Sequence, residues 1–368
     1  MLKHKDMFHG SDLEKVEAIY GIKKEDITSF SANVNPIGIP DSLKAELAAN
    51  LDCVTAYPER DYAHLRKAIA EYTGTEPEYV LTGNGSTELL SLFIETSRPK
   101  KALILGPTYS EYEREVTLAG GSTSYYPLEE KDDFRLDTDA FCSAIDDETD
   151  LVIICNPNNP TSSAVSRPAM RKILDVCLRK HAVVLTDETY AEFAEDKDAV
   201  SSIPLCGSYD NLIVIRGTSK FFACPGLRLG YGVTGSEKIR RAVTDRQNPW
   251  STNSLAELAG RTMFKDQEFI SRTKELLSSE RSRMIDILST WPEVKVYPAN
   301  ANFLLFRIEK EGVTAQELFE HCIQKGLMIR NCASFPFLDE RYVRFCFMMP
   351  EDNDRLLSAM REYFDTVK

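Results

Sequence analysis

The chain has 368 residues, 43% of them hydrophobic and 27% charged, and carries a net charge of −13. That is the profile of a globular protein with room for one large domain and a smaller partner. The acidic balance argues against a nucleic-acid binder, which would show a basic face, and no apolar run approaches the roughly 20 residues of a membrane span.

The first residues, Met1-Leu-Lys-His-Lys-Asp-Met7, lack the apolar core of a signal peptide. Nine cysteines lie scattered at 53, 142, 155, 177, 206, 224, 322, 332 and 346, without Cys-x-x-Cys or a neighbouring His at ligand spacing. Together these features predict a cytoplasmic protein with reduced thiols and no metal site. Asn35-Pro-Ile-Gly-Ile-Pro40 cannot be helix. From about 79 to 235, apolar runs alternate with helix-like segments. The runs are Tyr79–Thr82, Ala102–Leu105, Leu151–Cys155, Ala182–Thr186 and Leu212–Ile215; the helices are Ser86–Thr96, Ser110–Ala119, Thr138–Ile145 and Pro168–Arg179. Continuous apolar runs suit strands buried on both faces, so the alternation predicts an α/β layer with a mainly parallel sheet between helices. Beyond 265 the texture changes to one long charge-rich helix, Gln267–Ser289, and strand-like Val294–Tyr297, Asn302–Ile308 and Tyr342–Phe347. The predicted division is an arm over 1–44 that joins the small unit, a large domain over 45–265 and a small α+β domain over 266–368.

The motifs sit where these strands end, the position at which open α/β sheets carry their sites. Gly83-Asn-Gly-Ser-Thr-Glu88 follows a strand and opens a helix, whose free N–H groups and the Ser86 and Thr87 hydroxyls can cradle a phosphate. A dinucleotide fingerprint would want glycine where Glu88 stands, and a capped glycine turn is the plain structural alternative. Cys155-Asn-Pro-Asn-Asn-Pro-Thr161 stops the next strand and presents Asn159, able to donate to a phenolate oxygen. In Thr186-Asp-Glu-Thr-Tyr190, Asp187 leaves an apolar run, where a carboxylate wants a positive partner. A pyridinium nitrogen would serve, and a helix cap or structural ion pair is the competing reading. Tyr190 could reach the other edge of such a ring. Finally, Lys220 follows two hydroxyl residues, with Arg228 eight positions on and glycines at 226 and 230. An amine so placed can form a Schiff base with an aldehyde cofactor, while Ser219 and Arg228 hold its phosphate.

With these motifs in chain order, the sequence resembles the fold-type I, pyridoxal phosphate (PLP)-dependent aminotransferases of class I/II over nearly its whole length. It is most similar to the histidinol-phosphate aminotransferase branch and, within it, to the decarboxylases of phosphorylated threonine. The segments that carry this are Phe8-His-Gly10, Phe30–Pro36, Tyr57-Pro-Glu-Arg-Asp-Tyr62, Asn248–Asn253, Ile329–Ala333 and Arg341–Arg344. The resemblance implies that Lys220 carries PLP, Asp187 meets the pyridine nitrogen, and Asn159 with Tyr190 holds the ring hydroxyl. Tyr109 would stack on the ring, and Gly85, Ser86, Thr87, Ser219 and Arg228 would bind its phosphate. Tyr57 would reach the phosphate of a second subunit, which implies a homodimer with shared sites. His9, Gly10, Asn33, Arg330 and Arg344 would bind substrate, with Arg344 on the carboxylate.

Two departures from the family pattern stand out. Gly217 occupies the position, three before the lysine, where the family has a hydroxyl residue, and Ser86 stands where the resemblance to the phosphothreonine decarboxylases implies an acidic residue, while Ser11 takes the third place of the family's His-Gly-Gly start. The parts serve decarboxylation of an O-phospho amino acid and transamination of histidinol phosphate or a similar amine equally well, with Lys220 as general acid/base. Decarboxylation is favoured here by resemblance. A PLP-binding module without catalysis and a nicotinamide dehydrogenase are the readings from other classes. The first would need a lost lysine or aspartate, and the second a third glycine that the chain lacks.

Overall fold

A computed structural model describes residues 10–367; His9 lies outside the described residues. Strand β1 (Thr28–Ser29) belongs to the N-terminal arm. Seven strands then build one sheet: β2 (Val80–Asn84), β3 (Lys101–Gly106), β4 (Ser122–Pro127), β5 (Leu151–Cys155), β6 (Val183–Asp187), β7 (Leu212–Gly217) and β8 (Leu229–Val233). Their order is β2-β8-β7-β6-β5-β3-β4. Every pairing is parallel except the two made by β8, which runs against both β2 and β7.

Successive side chains of the central strands enter two different apolar clusters. Ile153, Leu185 and Ile213 pack on one face with Leu89, Phe93, Tyr112 and Val116 from the helices Ser86–Ser97 and Glu111–Leu118. Val152, Ile154, Val184 and Val214 pack on the other with Met170, Ile173 and Leu174 from the helix Arg167–Arg179. Burial on both faces is why these strands read as unbroken apolar runs, each such side chain contributing about 1.5–3 kcal/mol. Two strands of the sheet had no such run. β4 lies at the edge, exposed or half-buried along its length, and is written in Ser, Thr and Tyr. β8 carries Gly230 and Gly232, and at Gly230 a Cβ would stand 2.1 Å from the Ser86 backbone nitrogen. Glycine is there for a close approach, at the expense of strand signal.

After the helix Gln267–Leu288 come β9 (Val294–Val296), β10 (Phe303–Ile308), β11 (Leu327–Met328), β12 (Arg330–Asn331) and β13 (Tyr342–Cys346). β9, β10, β12 and β13 form an antiparallel sheet in the order β12-β13-β10-β9. β11 pairs instead with β1, in parallel. The arm is held further by Cys346 N–H donating to the Phe30 carbonyl at 2.8 Å. It thereby runs along the small sheet and reaches the segments that follow β6 and β7, at Tyr190, Lys220 and Phe221.

Candidate active site

The glycine loop after β2 and the segment after β7 meet through their smallest residues. Gly85 has φ +82°, and a Cβ on it would fall 2.4 Å from Arg228 Nη2. Arg228 itself is left-handed, with φ 57°, and donates from Nη1 to the Pro225 carbonyl at 3.2 Å. The helix Ser86–Ser97 starts here with no side chain capping its first N–H groups. Those donors, the Ser86, Thr87 and Ser219 hydroxyls and the Arg228 guanidinium suit a phosphate dianion. The two departures from the family pattern lie against each other: a Cβ on Gly217 would meet Ser86 Oγ at 3.1 Å. A larger side chain at 217 would press on this hydroxyl, so the serine and the glycine complement one another. Glu88 turns back and accepts from the Asn84 backbone N–H at 2.7 Å, away from the cup.

Beside the cup lies a cavity of 300 Å³ that gathers eight of the residues expected from sequence: Gly10, Asn33, Tyr109, Asn159, Tyr190, Lys220, Arg330 and Arg344. Lys220 Nζ donates to the Ala32 carbonyl at 2.7 Å. Burial, helped by the nearby positive charges of Arg344 and Arg228, brings its pKa down to about 8. A lysine that is half neutral near pH 8 is a competent nucleophile for an aldehyde.

Asp187, at the end of β6, is 8% exposed. Its Oδ1 accepts from the Thr189 N–H at 3.0 Å and the Thr189 hydroxyl at 2.6 Å, and its Oδ2 accepts from the Tyr112 hydroxyl at 2.9 Å. Burial still raises its pKa above the usual carboxylate value, against the pull of these donors. The positive partner expected from sequence is not supplied by a protein side chain among the described residues; neutral donors stand in its place. A buried carboxylate held this way is ready to accept from a cationic N–H. Tyr109 stands edge-on to Tyr112 with ring centroids 5.6 Å apart, and burial takes its pKa up to about 12. Tyr190 stacks edge-on to Phe303 at 4.9 Å and accepts from Asn33 Nδ2 at 3.3 Å. Burial likewise raises its pKa.

At the other wall, Arg344 Nη1 donates to Asn159 Oδ1 and Nη2 to the Ser31 carbonyl at 2.7 Å, with its guanidinium 5.3 Å over the Phe303 ring. Asp339 pairs with Arg341, not with Arg344. Arg330 faces Arg344 directly across the β12–β13 ladder and donates to Ser334 Oγ at 3.1 Å. Burial and the charge of Arg344 lower the pKa of Arg330. Like charges opposite one another in a sheet are destabilising, so the pair is sustained by something other than fold stability. Arg344 Nε and Asn33 Oδ1 are also buried without a hydrogen-bond partner, acceptor and donor places that a ligand would fill.

Tyr57 is not brought to this cavity. It is 80% exposed and lies against Trp250, ring centroids 4.8 Å apart, in an open patch with Val54 and Pro58. Tyr112, Thr189 and the Ala32 carbonyl escaped sequence reasoning. Thr189 had a signal, since an Asp followed two residues on by a hydroxyl residue is an Asx-turn pattern. Tyr112 had a weaker one, three residues after Tyr109 in the first turn of the helix that follows.

The arrangement fits PLP: a glycine cradle with an arginine for the phosphate, a tyrosine beside the ring space, a buried carboxylate and a partly neutral lysine. The comparisons agree. The model for "Aminotransferase class I and II" matches residues 25–360. A threonine-phosphate decarboxylase from Salmonella typhimurium is 35% identical over 353 residues, covering 96% of this chain and 95% of that protein. Among solved structures, the histidinol-phosphate aminotransferase from Clostridium acetobutylicum superposes with a TM-score of 0.86 at 31% identity, over 92% of this chain and 99% of that one. The histidinol-phosphate aminotransferase from Sinorhizobium meliloti, solved in complex with pyridoxal-5'-phosphate, shares the fold with a TM-score of 0.87 at 21% identity, over 99% of this chain and 97% of that one. With the family model spanning both sheets and the cavity residues from Asn33 to Arg344, the chain belongs to the class I and II aminotransferase family.

Proposed function

We propose that this protein is a PLP-dependent enzyme that decarboxylates an O-phosphorylated amino acid of the phosphothreonine type. The observation that carries this is Arg330 placed opposite Arg344 in the β12–β13 register, both lining the cavity that holds Lys220. A substrate with a carboxylate and a phosphate supplies two anions for two guanidiniums. The cofactor supplies an aldehyde for the substrate amine and a ring that takes up the electrons of the broken Cα bond.

The chain's own groups do the rest. The phosphate cup of Gly85, Ser86, Thr87, Ser219 and Arg228 anchors the cofactor, with Tyr109 on its ring. Asn159 and Tyr190 hold the ring oxygen, and Asp187 accepts from the ring nitrogen. Lys220 would bind the aldehyde carbon of the cofactor and would supply the proton that Cα takes up. Arg344 takes the carboxylate, while Arg330, Gly10 and Asn33 face the phosphate. A division into arm, large domain and small domain is supported by the arm's pairing with β11 and by the separate antiparallel sheet, with a boundary near 265; the helix Asp41–Ala49 runs across position 44. A homodimer is supported by the exposed Leu51, Val54, Tyr57 and Trp250, of which Tyr57 would complete a second subunit's phosphate cup. Nine free thiols suit a reducing cytoplasm.

The test is product analysis. The loaded protein is incubated with phosphothreonine, and separately with histidinol phosphate plus 2-oxoglutarate. Carbon dioxide from the first is expected; glutamate from the second would make the protein a transaminase instead.

A further inference from the structure

Asp187 is held by three hydrogen-bond donors, one of them from outside its own loop. An ionised carboxylate offers about four acceptor positions. Three are filled, by the Thr189 N–H and hydroxyl on Oδ1 and by the Tyr112 hydroxyl on Oδ2, which leaves one position, on Oδ2. Tyr112 is 1% exposed and reaches Asp187 from the helix Glu111–Leu118, a different layer from the β6 end. It also braces Tyr109 edge-on at 5.6 Å. One helical turn thus touches both the carboxylate and the aromatic side chain at the ring space.

We infer that Tyr112 is a positioning residue for the reaction: its hydroxyl holds Asp187 ionised and fixed in rotation, with the remaining Oδ2 position turned to the cofactor's ring nitrogen. This rests on the assignment of Asp187 to that nitrogen. Burial disfavours the Asp187 anion, and hydrogen bonds to the charged form oppose burial. Without the Tyr112 donor the carboxylate becomes more basic and draws the proton from the ring nitrogen to itself. The ring then loses the positive charge that makes it an electron sink. The other groups facing Asp187 do not replace the donor. Glu188 is turned to Arg216 and Ser201, and the Cys155 thiol and the Tyr109 phenol are each pushed up to about 12, so both stay neutral; burial raises Tyr190 too.

Tyr112→Phe removes one oxygen and keeps the ring. In the cofactor-free protein, the Asp187 carboxyl signal, assigned in carbon-13 NMR through Asp187→Asn, should titrate about one pH unit higher in Tyr112→Phe. In the loaded protein, the pH midpoint of the visible absorbance should rise in Tyr112→Phe and rise further in Asp187→Asn, because a ring without its charge no longer depresses the proton affinity of the Lys220 linkage. Placing 3-fluorotyrosine at 112, a stronger donor in the same packing, should move both readouts downward, which a structural role would not do, and it serves if Tyr112→Phe fails to fold. An unmoved carboxyl signal overturns the inference at the bond itself. A moved carboxyl with the absorbance midpoint shifted only by Asp187→Asn overturns the coupling to the cofactor. A midpoint indifferent to Asp187→Asn as well strikes the assignment of Asp187 to the ring, and the inference with it.

Discussion

The two ends of the site, one proposed to hold the cofactor phosphate and the other the substrate, are built from different materials. At the phosphate end, Gly85, Ser86, Gly217 and Gly230 approach so closely that a Cβ would collide or crowd, and the segments involved are neighbours in one sheet. At the substrate end, long side chains converge from distant parts of the chain, with Arg344 reaching Ser31 across 313 positions. The first end is rigid and indifferent to what the enzyme acts on. The second is assembled from side chains that can be exchanged without disturbing the sheet, which is how a family keeps its cofactor and varies its substrates.

The largest expected effect falls where the two ends meet. Lys220→Ala should abolish turnover and the visible absorbance of the bound cofactor while leaving the melting temperature near that of the parent, and Lys220→Arg should fail equally. Because burial favours the neutral amine, with a pKa of about 8, the rate of cofactor capture by the parent should rise with pH through that value and level off above it, read by stopped-flow absorbance. Gly230→Ala should break the phosphate end from behind: a Cβ 2.1 Å from the Ser86 nitrogen forces the helix start away. A loss of about 1–3 kcal/mol in thermal or denaturant unfolding is expected, together with weaker cofactor binding. At the substrate end neither loss should occur. Arg344→Ala should weaken every amino acid substrate by about 2–5 kcal/mol in kcat/KM. Arg330→Ala should penalise phosphorylated substrates more than plain ones. Equal losses in the two variants on both substrate types would erase the distinction between a carboxylate reader and a phosphate reader.

The same contrast explains what was legible in sequence. The strand-end motifs at 83–88, 155–161, 186–190 and 216–231 were readable because each packs its chemistry into a few adjacent residues. The five apolar strands were readable because both their faces are buried. β8 hid behind its glycines, and β4 behind its polar edge position. Tyr112, an ordinary helix residue in sequence, matters only because the β6 end lies beside it, and the Ala32 carbonyl has no sequence signature at all. Gly217 and Ser86 read separately as two defects; their meeting at 3.1 Å makes them one complementary pair. Residue type reveals chemistry carried by a side chain, but a main-chain acceptor or a pairwise fit becomes visible only with the backbone in place.

Four successive carbonyls of the arm are taken up by three separate parts of the molecule, β13 supplying two of the donors. Phe30 accepts from the Cys346 N–H, Ser31 from Arg344, Ala32 from Lys220 and Asn33 from the Asn302 side-chain amide. These partners lie far from the arm in sequence, Arg344 by 313 positions from Ser31 and Lys220 by 188 from Ala32. One four-residue segment therefore fastens a wall of the cavity and the lysine at once, and a local loss of the arm would release both.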